Sequence, residues 1–189
     1  PPPPPVFQAE EGILDRWVSR GLGDLYKRQN IKCNIYTSPH IKRINERFVF
    51  NNEELNDDDL GILFEEIEEA NNNEPITFFE ILTAAYFYNA SKYPENINLI
   101  EAGLFHRFDA TNILKNNLAS IVTSIGLDHL DWLPENEQTT KKIIFEKTST
   151  LVNSNIIIAK QNSSEIVNEI KNSILKNSSK KYFFNEDYN

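Results

Sequence analysis

Three short polar strings in this 189-residue chain carry side chains suited to chemistry. Thr37-Ser38-Pro39-His40 offers a hydroxyl and an imidazole, Glu101-Ala102-Gly103 a carboxylate, and Gly126-Leu127-Asp128-His129 a carboxylate next to an imidazole. Each also has an ordinary reading. Proline and serine in the first string suit a turn, the proline ending a strand and the serine bonding the backbone. Glu101 closes an apolar run, where a carboxylate is costly unless it is solvated or paired with a cation, so a solvated strand-end acid and a metal ligand are both open. His129, flanked by Asp128 and Asp131, suits a ligand, a general base or a surface histidine. Lys147 by itself reads as a solvated helix lysine, and the run Glu65-Glu66-Ile67-Glu68-Glu69 as a solvated helix face.

The surrounding pattern says what must position these strings. Cys33–Tyr36, Ile97–Ile100, Leu118–Ile125 and Ile156–Ala159 are short apolar runs that read as buried strands, with Tyr182-Phe183-Phe184 as a fifth. Helical spacing links Leu60, Leu63, Phe64 and Ile67, with Asp57 to Asp59 favouring that helix's N-terminus. It recurs in Phe78, Ile81, Leu82 and Ala85, in Ile143, Ile144 and Leu151, and in Ile166, Ile170 and Ile174. Strands alternating with helices predict an α/β fold, a mostly parallel sheet flanked by helices on both faces. Ligands in such sheets gather beyond the carboxyl ends of the strands. The three polar strings follow the first, second and third strands, which would bring them to one edge.

Composition narrows the classes. Hydrophobic residues at 40% and charged residues at 25% suit a globular domain with a core. A formal net charge of -9 argues against a nucleic-acid binder. Cys33 is the only cysteine, so no intrachain disulfide can form and a reducing compartment fits. No apolar run is long enough to span a bilayer and no signal segment opens the chain, so a cytoplasmic protein without a membrane partner is expected.

Longer strings carry a resemblance. Tyr36-Thr37-Ser38-Pro39-His40 followed by Arg43-Ile44-Asn45-Glu46-Arg47, Thr77-Phe78-Phe79-Glu80 with Leu82-Thr83-Ala84-Ala85, Glu101-Ala102-Gly103-Leu104 through Arg107-Phe108-Asp109-Ala110-Thr111-Asn112, Thr123-Ser124-Ile125-Gly126-Leu127-Asp128-His129, and Ile144-Phe145-Glu146-Lys147 stand in that order. Together they resemble the signature blocks of the folylpolyglutamate synthases/dihydrofolate synthases, in the Mur-ligase superfamily. The resemblance implies part of a Mur-ligase-type ATP-binding central domain. It implies an enzyme that adds L-glutamate to dihydropteroate or folate through an acyl phosphate, with ATP as co-substrate and Mg²⁺ as cofactor, acting as a monomer when full length. It also implies roles: Ser38, Glu101 and His129 as magnesium ligands, Lys147 as a catalytic, carbamylated lysine, and Thr77, Phe78, Phe79, Glu80, Phe108, Asp109 and Ala110 as the lining of the pteroate site. Serine and glutamate suit a hard cation, and aromatic rings suit a flat pterin.

Two departures stand beside it. Phe105-His106 occupies the place where the family carries Gly-Gly. No string of the form G-x-x-x-x-G-K-[ST] occurs in the chain, although the family's phosphate-binding loop should precede Cys33. Residues 1–29 begin with five prolines and differ in composition from the rest of the chain, and Asp24–Gln29 resembles a translated sequencing adapter. They are read as a non-native leader, a natural Pro-rich leader being the alternative, and 30–189 as the partial central domain, incomplete at both ends. On this reading the chain by itself does not use ATP. The alternatives are a non-catalytic α/β module that binds a pterin or a metal, and a Mur-type peptide ligase.

Overall fold

The computed structural model describes residues 31–151 and 155–188; the leader assigned to 1–29 lies outside them. The described chain forms two compact units that divide between Gly103 and Leu104.

The first unit contains β1 (Cys33–Tyr36), β2 (Phe48–Phe50), β3 (Glu53–Glu54), α1 (Asp57–Ala70), α2 (Phe78–Ala90) and β4 (Ile97–Ile100), in the sheet order β3-β2-β1-β4. β1 and β4 run parallel, with Tyr36 opposite Ile100, whereas β2 pairs antiparallel with both β1 and β3. β2 and β3, absent from the sequence-based reading, make a hairpin around Asn51-Asn52. Both asparagines have positive φ, 53° and 70°, the conformation of the two-residue turn that matches strand twist. The turn is anchored to the start of β1: the Asn52 side chain accepts from the Cys33 N–H at 3.0 Å, and the Asn52 N–H donates to the Cys33 carbonyl at 3.0 Å.

Asn56 and Thr77 cap the two helices, each side-chain oxygen accepting a backbone N–H of the first turn. Both helices pack on one sheet face, Leu60, Leu63, Leu82 and Tyr86 meeting Tyr36 and Phe48 in a buried cluster. Tyr86 stacks on Tyr36 with ring centroids 5.0 Å apart and on Phe50 at 5.5 Å. Burial pushes the Tyr86 phenol far above its ordinary pKa and raises the Cys33 thiol. A polar network crosses this core. Asn34, fully buried, donates to Asn98 Oδ1 at 3.0 Å and accepts from Asn96 Nδ2 and the Asn51 N–H, while the Tyr86 hydroxyl donates to the same Asn98 oxygen.

The second unit holds β5 (Ala119–Val122), α3 (Thr140–Thr148), β6 (Asn155–Ile158), α4 (Ser164–Ser173) and β7 (Lys181–Phe183). Its sheet is all parallel, in the order β5-β6-β7. Two successive strand–helix–strand units build it, with Thr139 and Ser163 capping the helices. Val122, Ile156, Ile158 and Phe183 face Ile143, Ile144, Ile170 and Ile174 in one buried cluster.

The α/β class with parallel strands flanked by helices is therefore present, with three differences. The strand expected over 118–125 pairs only from Ala119 to Val122, because the Gln161 side chain takes over the backbone groups beyond it: Nε2 donates to the Thr123 carbonyl and Oε1 accepts from the Ile125 N–H. Leu151 lies past the end of α3 yet is buried, reached by a turn instead of helical spacing. The described helices of each unit cover one sheet face instead of two, since the core residues of both helices fall in a single cluster. The opposite face of the second sheet carries Ile121, Ile157 and Tyr182 in register.

Replacing Asn34 with Ala would remove the acceptor that serves the Asn96 side chain and the Asn51 N–H, and one of the two donors to Asn98 Oδ1. A loss of about 1–3 kcal/mol is expected from urea unfolding midpoints, and an unchanged midpoint would show that the network carries no stability.

Candidate functional site

In the first unit the parallel pairing of β1 and β4 carries the chain on into two neighbouring loops. The Glu101 N–H continues the ladder by donating to the Tyr36 carbonyl at 2.9 Å. The Glu101 carboxylate then reaches across: Oε2 accepts from the Ser38 N–H at 2.8 Å, a charge-assisted hydrogen bond. The Ser38 hydroxyl oxygen is buried and has no hydrogen-bond partner. The Ser38–Pro39 peptide is cis.

The loop is braced from below. Thr37 donates its N–H to the Arg47 carbonyl and its hydroxyl to the Glu46 carbonyl, each at 3.2 Å. The Glu46 carboxylate accepts the backbone N–H groups of Ile41 at 2.9 Å and of Arg43 at 3.3 Å. Arg47 is only 7% exposed, and its Nε donates to His40 Nδ1 at 3.0 Å. Burial lowers the Arg47 guanidinium from its ordinary pKa, while Tyr36 and the Glu101 carboxylate favour the charged form.

In the second unit the loop after β5 brings His129 to a left-handed backbone conformation, φ 58°. Its Nε2 lies 3.1 Å from Asp128 Oδ2, and its ring meets the edge of Phe105 at a centroid distance of 6.0 Å. Lys147, on α3, directs its ammonium to the Leu104 carbonyl at 3.4 Å and lies 5.9 Å from the centre of the Phe105 ring. Burial lowers the Lys147 pKa, opposed by the Asp128 carboxylate. Asp128, His129, Phe105 and Lys147 thus form one cluster. His106, the other residue standing in the Gly-Gly place, pairs Nδ1 with the Thr150 hydroxyl at 3.0 Å, and burial lowers its pKa.

The remaining site residues divide by role. Thr77 and Glu80 form a capping box on α2: the Glu80 carboxylate accepts the Thr77 N–H at 3.0 Å and the Thr77 hydroxyl at 2.5 Å. These bonds hold the Glu80 carboxyl below its ordinary pKa. Phe79 stacks against Tyr36 at 6.1 Å, whereas Phe78 is 61% exposed. The Asp109 carboxylate folds its own loop, accepting from the Thr111 N–H and hydroxyl and from the Leu104 N–H. Phe108 is 84% exposed with the Arg107 guanidinium 4.4 Å from its ring centre, and Ala110, beside Asp109, is half-buried. Ser38 and Glu101 are thus brought together in the first unit, and Lys147 and His129 gathered around Phe105 in the second. Among the described residues, no group of three or more His, Cys, Asp and Glu side chains could hold a metal ion, and no helix is long and apolar enough to cross a membrane.

The sequence-based reading quoted Arg47 in a signature string and Asp128 as the carboxylate beside His129 but assigned neither a role of its own. A cation placed directly before the apolar Phe48-Val49-Phe50 was the available signal for Arg47. Asp128 could be found only through its proximity to His129.

Parallel strands that end in polar loops, one pair tied by a carboxylate and the other loop bearing an imidazole, define an α/β protein with ligand-type strand ends. No protein-family model matches the chain. It is 36% identical over 137 residues to the dihydrofolate synthase/folylpolyglutamate synthase of Escherichia coli, covering 72% of this chain and 32% of that protein. It is 35% identical over 128 residues to the enzyme of the same name from Haemophilus influenzae, covering 68% and 28%. The solved structure of E. coli FolC in complex with DHPP and ADP superposes with a TM-score of 0.74 at 28% identity, over 87% of this chain and 38% of that one. The chain belongs to the dihydrofolate synthase/folylpolyglutamate synthase family, and it spans roughly a third of the length of the curated relatives it matches.

Thr77→Ala removes the hydroxyl that accepts the Glu80 N–H and donates to the Glu80 carboxylate, leaves the backbone N–H of residue 77 on that carboxylate, and is expected to lower stability by about 1 kcal/mol at neutral pH. Because the folded Glu80 carboxyl titrates below its unfolded value, its contribution is present above the unfolded carboxyl pKa and is lost as pH falls through the folded one. Thermal melts between neutral and acid pH should therefore show a smaller acid loss in the variant; an equal loss would remove the box from the account.

Proposed function

We propose that these residues serve an ATP-dependent ligase that joins L-glutamate to dihydropteroate or folate, with residues 30–189 forming part of its nucleotide-binding central domain. The observation that carries this reading is the pairing of Ser38 and Glu101 at the ends of adjacent parallel strands, with the serine hydroxyl oxygen orphaned. Support comes from the relatives' names and from the E. coli structure, which holds DHPP and ADP.

The donor set fits magnesium. A buried hydroxyl oxygen without a partner and a carboxylate beside it are hard oxygen ligands, and few protein ligands suit a cation that keeps waters and phosphate oxygens. Ser38 and Glu101 would hold it; a metal-ligating role for His129, in the second unit, rests on the family resemblance alone. With Nε2 directed at Asp128, Nδ1 is the His129 nitrogen left to ligate. Magnesium, when bound, would neutralise charge on the phosphoryl oxygens.

In the reaction, the substrate carboxylate attacks the γ-phosphorus of ATP and ADP departs, leaving an acyl phosphate. The glutamate amine then attacks the acyl carbon, phosphate leaves and the amine loses its proton. Catalysis of this kind rests on positioning and charge. Lys147 contributes an amine whose lowered pKa enlarges the neutral fraction, the form that carbamylation by CO₂ requires. Each unit offers an exposed aromatic face of a kind that suits a flat pterin: Phe78 in the first, beside Phe79 on the helix that Thr77 and Glu80 cap, and Phe108 in the second, beside Asp109 and Ala110 in the loop that the Asp109 carboxylate folds.

The sequence of residues 1–189 contains no G-x-x-x-x-G-K-[ST] string, which favours pterin or metal binding without turnover for this polypeptide alone. No magnesium-dependent phosphate release from ATP is expected of it; measurable turnover would contradict that point. A chimaera carrying residues 31–188 in place of the matching stretch of the E. coli relative should ligate glutamate to dihydropteroate. Ser38→Ala or Glu101→Gln in it should reduce kcat by about 100-fold or more. A folded chimaera that ligates glutamate to no pteroate or folate would overturn the reading.

A further inference from the structure

Arg47 is the only charged side chain among the buried described residues of the first unit. Taking a guanidinium out of water is costly, and the sheet does not need it: β1 and β2 pair through Ile35–Val49 and Tyr36–Phe48. What the side chain does is reach the Thr37–His40 loop, where Nε donates to His40 Nδ1 at 3.0 Å. An arginine nitrogen can only donate, so His40 Nδ1 must carry its lone pair. In the neutral imidazole the proton then sits on Nε2. The His40 ring is half-exposed, and Nε2 has no partner among the described residues. Ser38, two residues earlier in the same loop, turns its N–H to Glu101 at the end of β4.

We infer that Arg47 is a positioning residue that fixes His40 as the Nε2–H tautomer, so that His40 offers a hydrogen-bond donor to a phosphoryl oxygen beyond the carboxyl ends of β1 and β4. The choice of a phosphoryl oxygen rests on the ligase reading; the tautomer does not. Arg47 touches no ligand in this scheme. It orients the ring through a single planar N–H, which a lysine ammonium cannot reproduce with the same geometry.

The chain has three histidines, so ¹⁵N-histidine NMR of the full chain can be assigned with His40→Gln, His106→Gln and His129→Gln. The expected result at mildly alkaline pH is an Nε2–H tautomer for His40, becoming a tautomer mixture in Arg47→Gln and in Arg47→Lys. Inorganic phosphate should shift the His40 Nε2 resonance, with apparent affinity falling severalfold in Arg47→Gln. An Nδ1–H tautomer in the parent chain overturns the inference even if the variants do not fold. An unchanged tautomer in a folded Arg47→Gln chain does the same. The Nε2–H tautomer with no response to phosphate overturns the donor role while leaving the ligase reading intact. A chimaera that fails to ligate glutamate would sink that reading without touching the tautomer.

Discussion

The first unit's site depends on one hydrogen bond, from the Ser38 N–H to the Glu101 carboxylate. Parallel strands end side by side with their last carbonyls and the amides just beyond seeking partners. β1 and β4 meet that need once through the backbone, from Glu101 N–H to Tyr36, and once through the Glu101 side chain. The second bond satisfies a half-buried carboxylate and an amide beyond the ladder together, and leaving either unpaired would cost about 1–3 kcal/mol. With the backbone of Ser38 committed in this way, its hydroxyl is left buried and unpartnered at a strand end. The field of Glu101 also helps keep a buried arginine charged, and that arginine holds the next imidazole in the loop. Fold, electrostatics and ligand chemistry meet at this carboxylate.

The second unit solves the same problem with different groups. Its β5 loop is held by the amide of Gln161, which serves backbone donors and acceptors that no neighbouring strand supplies. His129 and Asp128 pair with each other, and the Lys147 amine is kept from water by its surroundings. The Phe105 ring lies about equally near the imidazole and the amine, 6.0 Å from the His129 ring centre and 5.9 Å from Lys147 Nζ. Burial within this cluster lowers the basicity of Lys147.

The strand cores and all four α-helices were legible because their signals are local. Leu60, Leu63 and Ile67 repeat on one helical face, with Asp57 to Asp59 at the start of that helix. The β2–β3 hairpin was not, since a three-residue strand carries too little alternation and Asn-Asn is a weaker turn signal than Asn-Gly. Roles for the candidate site residues came only from longer strings in order: Glu101 alone was an even choice between a solvated acid and a ligand, and Lys147 alone was a solvated helix lysine. Thr77 and Glu80 show the limit of such reading, because a string that suggests a binding role also encodes a helix cap. The bond between Ser38 and Glu101 spans 63 positions and no periodicity could announce it.

Amide hydrogen exchange at Ser38 tests the central bond most directly. In the parent chain the Ser38 N–H should exchange slowly, on a par with the neighbouring ladder amide of Glu101. In Glu101→Ala it should accelerate by about tenfold or more, the equivalent of a hydrogen bond worth about 1.4 kcal/mol, while the amides inside the β1–β4 ladder hold their rates. A Ser38 amide that exchanges as fast in the parent chain as in the variant would mean that the carboxylate does not tie the two strand ends, and the site built on it would fall with it.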